Sequence, residues 1–176
     1  MQLRYYVPWR EIRSWRCLAC GMCCSRFNIP LRSYEYAQIF QVFGPQVMSL
    51  HHSGNSYLKK VKNKCVFQED SGECFLQQMG LKPVACKLWP FAVSQRKIKQ
   101  KDNRRAIFHH QGERYYVYIK PSCPGINQGR PKNLPSILHE IVEISINPTK
   151  LQEHSTSQQL KPNSTRLHKI RNLQIT

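Results

Sequence analysis

The sequence predicts a small, cysteine-stapled α+β domain with short antiparallel strands and two or three helices. Three observations predict it. Eight cysteines stand in 176 residues, and Cys17, Cys20, Cys23 and Cys24 fall within one short run. Apolar residues recur at helical spacing at Tyr36, Ile39, Phe40 and Phe43, and again at Ile137, Leu138, Ile141 and Val142. Between the two, residues 92–120 alternate apolar and polar with the period of strands.

The elements are taken in chain order. Residues 1–16 are aromatic and basic, with Tyr5, Tyr6, Trp9 and Trp15, and Pro8 interrupts them. They read as an extended arm that packs over the cysteines and shields them from water. The alternative is a stacking surface for single-stranded nucleic acid, since bases stack on such side chains. Arg4, Arg10, Arg13 and Arg16 leave no apolar run of signal-peptide length, and no window is long and apolar enough to span a bilayer. A cytoplasmic location is therefore expected. Ser33 is placed to cap the first helix, and Gly44-Pro45 to stop it. His51 and His52 precede a loop signal, Ser53-Gly54-Asn55-Ser56, and read as a solvent-exposed pair rather than ligands.

Lys64–Phe67 and Glu73–Leu76 read as a hairpin around Glu69–Gly72, which sets Cys65 near Cys74. A short helical turn over Gln77–Leu81 comes next, and then Pro83 and Pro90 frame a compact segment carrying Cys86. Three strands at 92–100, 105–110 and 114–120 form a meander. Arg96, Lys97, Lys99, Lys101, Arg104 and Arg105 crowd its first turn, either as a phosphate contact or as guards of a sheet edge. Cys123-Pro124-Gly125 turns the chain back towards the cysteines. Ser136 then caps a helix that runs to Ile146 and ends at Asn147-Pro148. Residues 149–176 read as a basic, disordered tail, which leaves 1–148 as the cysteine-cluster domain.

Twenty-seven Lys and Arg against ten Asp and Glu give a formal charge of +17. Eight thiolates around two centres of charge +2 would lower it only to about +13. Such a balance fits an anionic partner, nucleic acid or an acidic protein, and equally a solvated basic surface. Acidic residues are few, and Glu69, Asp70 and Glu73 belong to a turn, which argues against paired-carboxylate catalysis. No serine–histidine–acid arrangement is legible, and no catalytic residue is identified.

The cysteines carry the chemistry. Cys17, Cys20 and Cys23 form a Cys-x2-Cys-x2-Cys run, and a remote Cys123-Pro124 comes after it. That spacing is the bacterial-ferredoxin type of iron–sulfur ligation. Zinc knuckles pair two separated Cys-x2-Cys motifs, which overlapping pairs fit poorly. Thiolates alone hold either metal. The spacing favours an iron–sulfur cluster of the [4Fe–4S] type, with Zn2+ as the alternative. The candidate ligands are Cys17, Cys20, Cys23, Cys24, Cys65, Cys74, Cys86 and Cys123. Adjacent Cys23 and Cys24 are poor disulfide partners. Cys24 is the candidate spare thiol, redox-active if exposed.

Cys17-x2-Cys20-Gly21-x-Cys23-Cys24, then Cys65-x-Phe67, Cys74, Lys82-Pro83-x2-Cys86-Lys87-x-Trp89-Pro90-Phe91 and Cys123-Pro124-Gly125 stand in one order. This order resembles the YkgJ-type cysteine-cluster family over roughly residues 15–126, and it is similar to the cluster region of flagellin lysine N-methylase. The family often has Arg, Arg and Phe where this chain has Lys82, Lys87 and Trp89. The resemblance implies chelation of zinc or iron and leaves three function classes open. One is a metal or iron–sulfur protein with a redox or cluster-handling role. Another is a methyltransferase-like enzyme related to the flagellin N-methylase. The third is a nucleic-acid-binding module with structural zinc. Against the enzyme, no Gly-rich nucleotide fingerprint is present. Phe27 also stands where a radical-type Cys-x3-Cys-x2-Cys run begun by Cys20 and Cys24 would need a third cysteine.

Overall fold

The computed structural model describes residues 5–50, 54–98 and 103–156. His51, His52, Lys99, Lys101 and residues 157–176 lie outside the described residues. The elements, in chain order, are β1 (Val7–Pro8), α1 (Met22–Arg26), α2 (Ser33–Phe43), β2 (Met48–Leu50), β3 (Ser56–Leu58), β4 (Lys60–Val61), β5 (Lys64–Cys65), α3 (Phe75–Gln78), α4 (Val84–Leu88), β6 (Phe91–Ser94), β7 (Ile107–His110), β8 (Glu113–Ile119) and α5 (Leu134–Ile146). The class is α+β, as the sequence predicts. The described residues divide into two compact units. The first combines the residues up to Leu18 with those from Lys87 onward. The second is Ala19–Cys86.

In the first unit every strand pairs antiparallel with β8. Phe91–Ser94 lies opposite Ile119–Tyr116, Ile107–His110 opposite Tyr116–Glu113, and Val7-Pro8 opposite Ile119-Tyr118. The expected meander is thus corrected, because β6 neighbours β8 and not β7. Ser94 Oγ accepts the Arg96 N–H at 3.1 Å, a side-chain turn that ends β6 early. Alternation along β8 buries both of its faces. Tyr115, Val117 and Ile119 share a core with Leu134, Ile137, Leu138, Ile141 and Val142 of α5. Tyr116 and Tyr118 face a second cluster with Ala92 and Ala106.

The arm supplies this unit's own core. Trp9 meets Phe108 edge-on at 5.8 Å, and Trp15 meets Phe91 at 5.1 Å. Both aromatics are thereby committed to packing and not to an open stacking surface.

α5 begins at Leu134, two residues before the expected cap, and Ile146 is exposed where Ile144 is buried. The residues after it are held in place. The buried carboxylate of Glu140 accepts the N–H groups of Glu153, His154 and Ser155. Lys87 Nζ donates to the carbonyls of Pro148 and Lys150, both at 2.9 Å. Gln152 Nε2 donates to the Lys87 carbonyl at 3.0 Å. Residues 149–156, read from sequence as the start of a tail, are therefore bonded to this unit.

In the second unit the buried apolar cluster is Cys24, Ile29, Ile39, Leu58, Cys65, Phe67 and Leu76. Helix α2 opens on Arg32, whose N–H donates to Glu35 Oε2 at 2.8 Å. Ile39 and Phe43 carry its packing, with Phe43 edge-on to Phe67 at 4.9 Å. Phe40, expected in the core, is instead largely exposed and stacks on Tyr36. Two small ribbons, β2–β3 and β4–β5, complete the unit. The expected hairpin between Cys65 and Cys74 contracts. β5 pairs with β4, and the Glu69–Glu73 turn closes on one bridge, Gln68 opposite Cys74. The chain then enters α3, whose Leu76 is fully buried. A run this short carries no decisive period.

Glu35 joins two segments of this unit, since its Oε1 also accepts the Val84 N–H at 2.6 Å from a buried position. Glu35→Ala should strand both amides and destabilise the unit by about 2–4 kcal/mol. Urea unfolding of the variant measures this, and an unchanged midpoint would contradict the role.

Candidate metal centre

The cysteine run enters the second unit through a left-handed glycine. Gly21 has φ +68°, and a Cβ there would fall 1.7 Å from Gln68 Nε2. The positive φ is what favours glycine here, since the end of the Gln68 side chain could move aside. The Gly21 carbonyl then accepts the Cys24 N–H at 2.9 Å, which starts α1 and carries Cys23 and Cys24 on its first turn. β5 supplies Cys65, the bridge to Gln68 supplies Cys74, and α4 supplies Cys86. Lys82, just before α4, acts on Cys23, Cys74 and Cys86 as a neighbouring positive charge.

These sulfurs feel one another. The sulfurs of Cys23 and Cys24 lie 3.9 Å apart. The Cys24 thiol supports the Cys23 thiolate by hydrogen bonding, and Lys82 adds to it against the cost of burial. The Cys23 pKa is lowered to about 6. Cys24 moves the other way, because it keeps the proton it shares with Cys23 and because it is buried; the charges of Cys23, Cys74 and Cys86 add to the rise. Burial pushes Cys65, Cys74 and Cys86 up as well, and neighbouring thiolates push in the same direction. Backbone amides oppose this. The Phe67 N–H is directed at the Cys65 sulfur, and the Leu76 and Gln77 N–H groups at that of Cys74.

The structure thus brings five of the eight predicted sulfurs into one electrostatic group: Cys23, Cys24, Cys65, Cys74 and Cys86. Cys20 is exposed at the mouth of the run, while Cys24, the expected spare, is buried. Cys17 and Cys123 belong to the first unit, where both pack against its core. Trp15 Nε1 donates to the Cys123 sulfur at 3.4 Å. Among the described residues, no three His, Cys, Asp or Glu side chains stand, as placed, in an arrangement that would hold a metal ion. The chemistry of the donors does suit a soft or borderline cation. Buried thiols that oppose one another's ionisation, and that receive amide N–H bonds, gain when a positive centre replaces their protons.

One titratable cluster escaped the sequence reading. In the first unit His110 Nδ1 and His139 Nδ1 lie 2.9 Å apart, close enough to share one proton. The buried Nε2 of His110 has no hydrogen-bond partner, and the nearest carboxylate oxygen, Glu143 Oε1, is 3.9 Å away. Glu143 itself pairs with Lys150, which holds its carboxyl below the usual range. His110 and His139 are twenty-nine residues apart, so only the pairing of β7 and the facing helix reveals them.

Comparison with known proteins adds the family. Residues 16–124 match CxxCxxCC, a family described as "Putative zinc- or iron-chelating domain". No curated protein and no solved structure matches the chain. No described helix is long and apolar enough to cross a membrane. The match covers well over half of the chain and includes all eight cysteines, so the protein belongs to the CxxCxxCC family.

Proposed function

We propose that this protein holds a metal centre through cysteine thiolates, and that the centre is an iron–sulfur cluster of the [4Fe–4S] type in preference to zinc. The observation that carries the reading is the group of five sulfurs in Ala19–Cys86: those of Cys23 and Cys24 lie 3.9 Å apart, and neighbouring cysteine charge adds to the rise that hydrogen bonding or burial gives Cys24, Cys65, Cys74 and Cys86. Cys23, Cys24, Cys65, Cys74 and Cys86 supply the donors that converge. Cys17, Cys20 and Cys123 are candidate ligands on their motif positions alone. Preference for the cluster rests on the Cys-x2-Cys-x2-Cys run and the remote Cys-Pro. When bound, a cluster supplies one-electron transfer, and this supports a redox or cluster-handling role. The chain's own residues do the rest. Amides of Phe67, Leu76 and Gln77 bond to sulfur and favour the thiolate form. Lys82 offsets part of the negative charge. The apolar shell of Ile39, Phe67 and Leu76 limits water. The charge of +17 supports an anionic partner for the same chain, nucleic acid or acidic protein, and steep salt dependence of binding would test it.

Anaerobic purification followed by absorption spectroscopy and metal and sulfide analysis tests the centre. A brown, sulfide-containing protein is expected, and a colourless one with stoichiometric zinc would replace the cluster by a zinc site. Cys65→Ser and Cys86→Ser should each lose most of the bound metal. Stripping the metal should lower the melting temperature of the wild type, because buried thiols left without a cation no longer hold the segments together. Full metal content in both variants would remove these sulfurs from the centre.

The metal-free chain offers a second check. Cys23, with its pKa lowered to about 6, is a thiolate above that pH, whereas Cys86 stays protonated. Iodoacetamide should therefore label Cys23 first, with a rate that rises through about pH 6 rather than through the ordinary thiol range near 8.5. Peptide mass spectrometry across roughly pH 5 to 8 reads this out. Equal labelling of both sulfurs at neutral pH would contradict the pairing with Cys24.

A further inference from the structure

The arm carries one carboxylate, Glu11, and it pairs with Arg105 at 3.5 Å. No Asp or Glu stands in residues 12–34 or in residues 114–139. Within the first unit the fold lays the arm beside the second of these acid-free stretches. Val7 pairs with Ile119 in the sheet, and Trp15 bridges to Ile126, both antiparallel. Asn127 fastens the second meeting point from two sides. Its N–H donates to the Ser14 carbonyl at 2.8 Å, and its Oδ1 accepts the Arg13 N–H at 2.9 Å. The Arg16 N–H donates to the Gly125 carbonyl at 3.1 Å.

This pairing sorts the side chains. Ile12, Ser14 and Trp15 are buried, and Arg13 and Arg16 are exposed between and after them. A Cβ at Gly129 would fall 3.1 Å from Arg16 Cβ, which brings the next residue, the exposed Arg130, near Arg16. Among the described residues, Arg13, Arg16 and Arg130 take no part in an ion pair. Towards the first meeting point stands Lys120, whose Nζ lies 5.3 Å from the centre of the Tyr5 ring and 5.2 Å from that of Tyr6. Packing takes Trp9 and Trp15 out of solvent contact as a stacking pair, yet it leaves Tyr5 69% exposed.

Charge by itself suits any polyanion. An exposed tyrosine held against an ammonium adds a stacking face, which an acidic peptide does not use and an unpaired base does. We propose that this strip binds single-stranded nucleic acid, with a base stacked on Tyr5 and phosphates on Lys120, Arg13, Arg16 and Arg130. The proposal rests on the reading of the chain's charge as a sign of an anionic partner, and it adds the surface and the partner's class. It needs no metal.

Fluorescence anisotropy of labelled oligo(U) and oligo(dT), titrated with the full chain at several salt concentrations, tests it. Four phosphate contacts give a slope of log affinity against log salt of about −3. Arg13→Ala, Arg16→Ala and Arg130→Ala should each weaken binding and make the slope shallower by about 0.7. Lys59→Ala and Lys62→Ala remove the same charge from exposed positions of the second unit and should change neither quantity. Tyr5→Ala should weaken binding of the single strands by about 5- to 150-fold, and Tyr5→Phe, which keeps the ring, should restore most of it. Affinity for a duplex of equal length should not respond to Tyr5→Ala. Equal losses from the lysine and arginine variants mean a diffuse basic surface and overturn the proposal. A Tyr5→Ala protein that binds the single strands like wild type overturns it as well. Poly-glutamate separates the partner classes. A wild type that holds it as tightly as the oligonucleotides overturns the nucleic-acid assignment and leaves the anionic partner standing. A wild type that binds none of these polyanions at low salt overturns both.

Discussion

A buried thiolate is an unstable arrangement unless something positive accompanies it. In the Ala19–Cys86 unit, five thiols sit where burial opposes their ionisation and each thiolate opposes the next. Lys82 is one nearby cation set against them. The remaining structure of the unit serves this constraint. A left-handed Gly21 admits the loop bearing Gln68, amides of α3 point at Cys74, and Glu35 ties the Arg32 and Val84 amides together.

The first unit obeys a different logic. Its core is a sheet centred on β8 with α5 against it, completed by Ile12 and Trp15 of the arm and by Phe91 and Phe108 of the neighbouring strands. Its polar features are held in the manner expected of buried groups. Glu140 satisfies three amides, and Gln152 and Lys87 satisfy carbonyls. Two sulfurs, Cys17 and Cys123, are set into this apolar framework, one of them against an indole.

Residue type and spacing revealed the cysteines, the strands at residues 91–94, 107–110 and 113–119, and both main helices, because long alternation and long helical periods survive local noise. Short runs did not. Glu73–Leu76 alternates over too few residues to separate strand from helix, and it is the entrance to α3. Phe40 fits the helical stripe yet lies exposed, since a stripe defines a face and not which edge of it the neighbours reach. Pairing order within the sheet was illegible because β6 and β7 are both compatible with β8, and period alone does not rank partners. Of the candidate site, the donors were legible and their grouping was not. Nothing local distinguishes Cys17 from Cys20, although they fall in different units. The His110–His139 contact had no signal at all before the strand met the helix.

The carboxylate of Glu140 has a practical bearing on anything joined to the end of this chain. By gripping three successive amides at Glu153, His154 and Ser155, it fixes the exit point well past the end of α5. The stretch from Pro148 to Thr156 is therefore held and gives no slack to an appended fluorophore, affinity handle or fused partner.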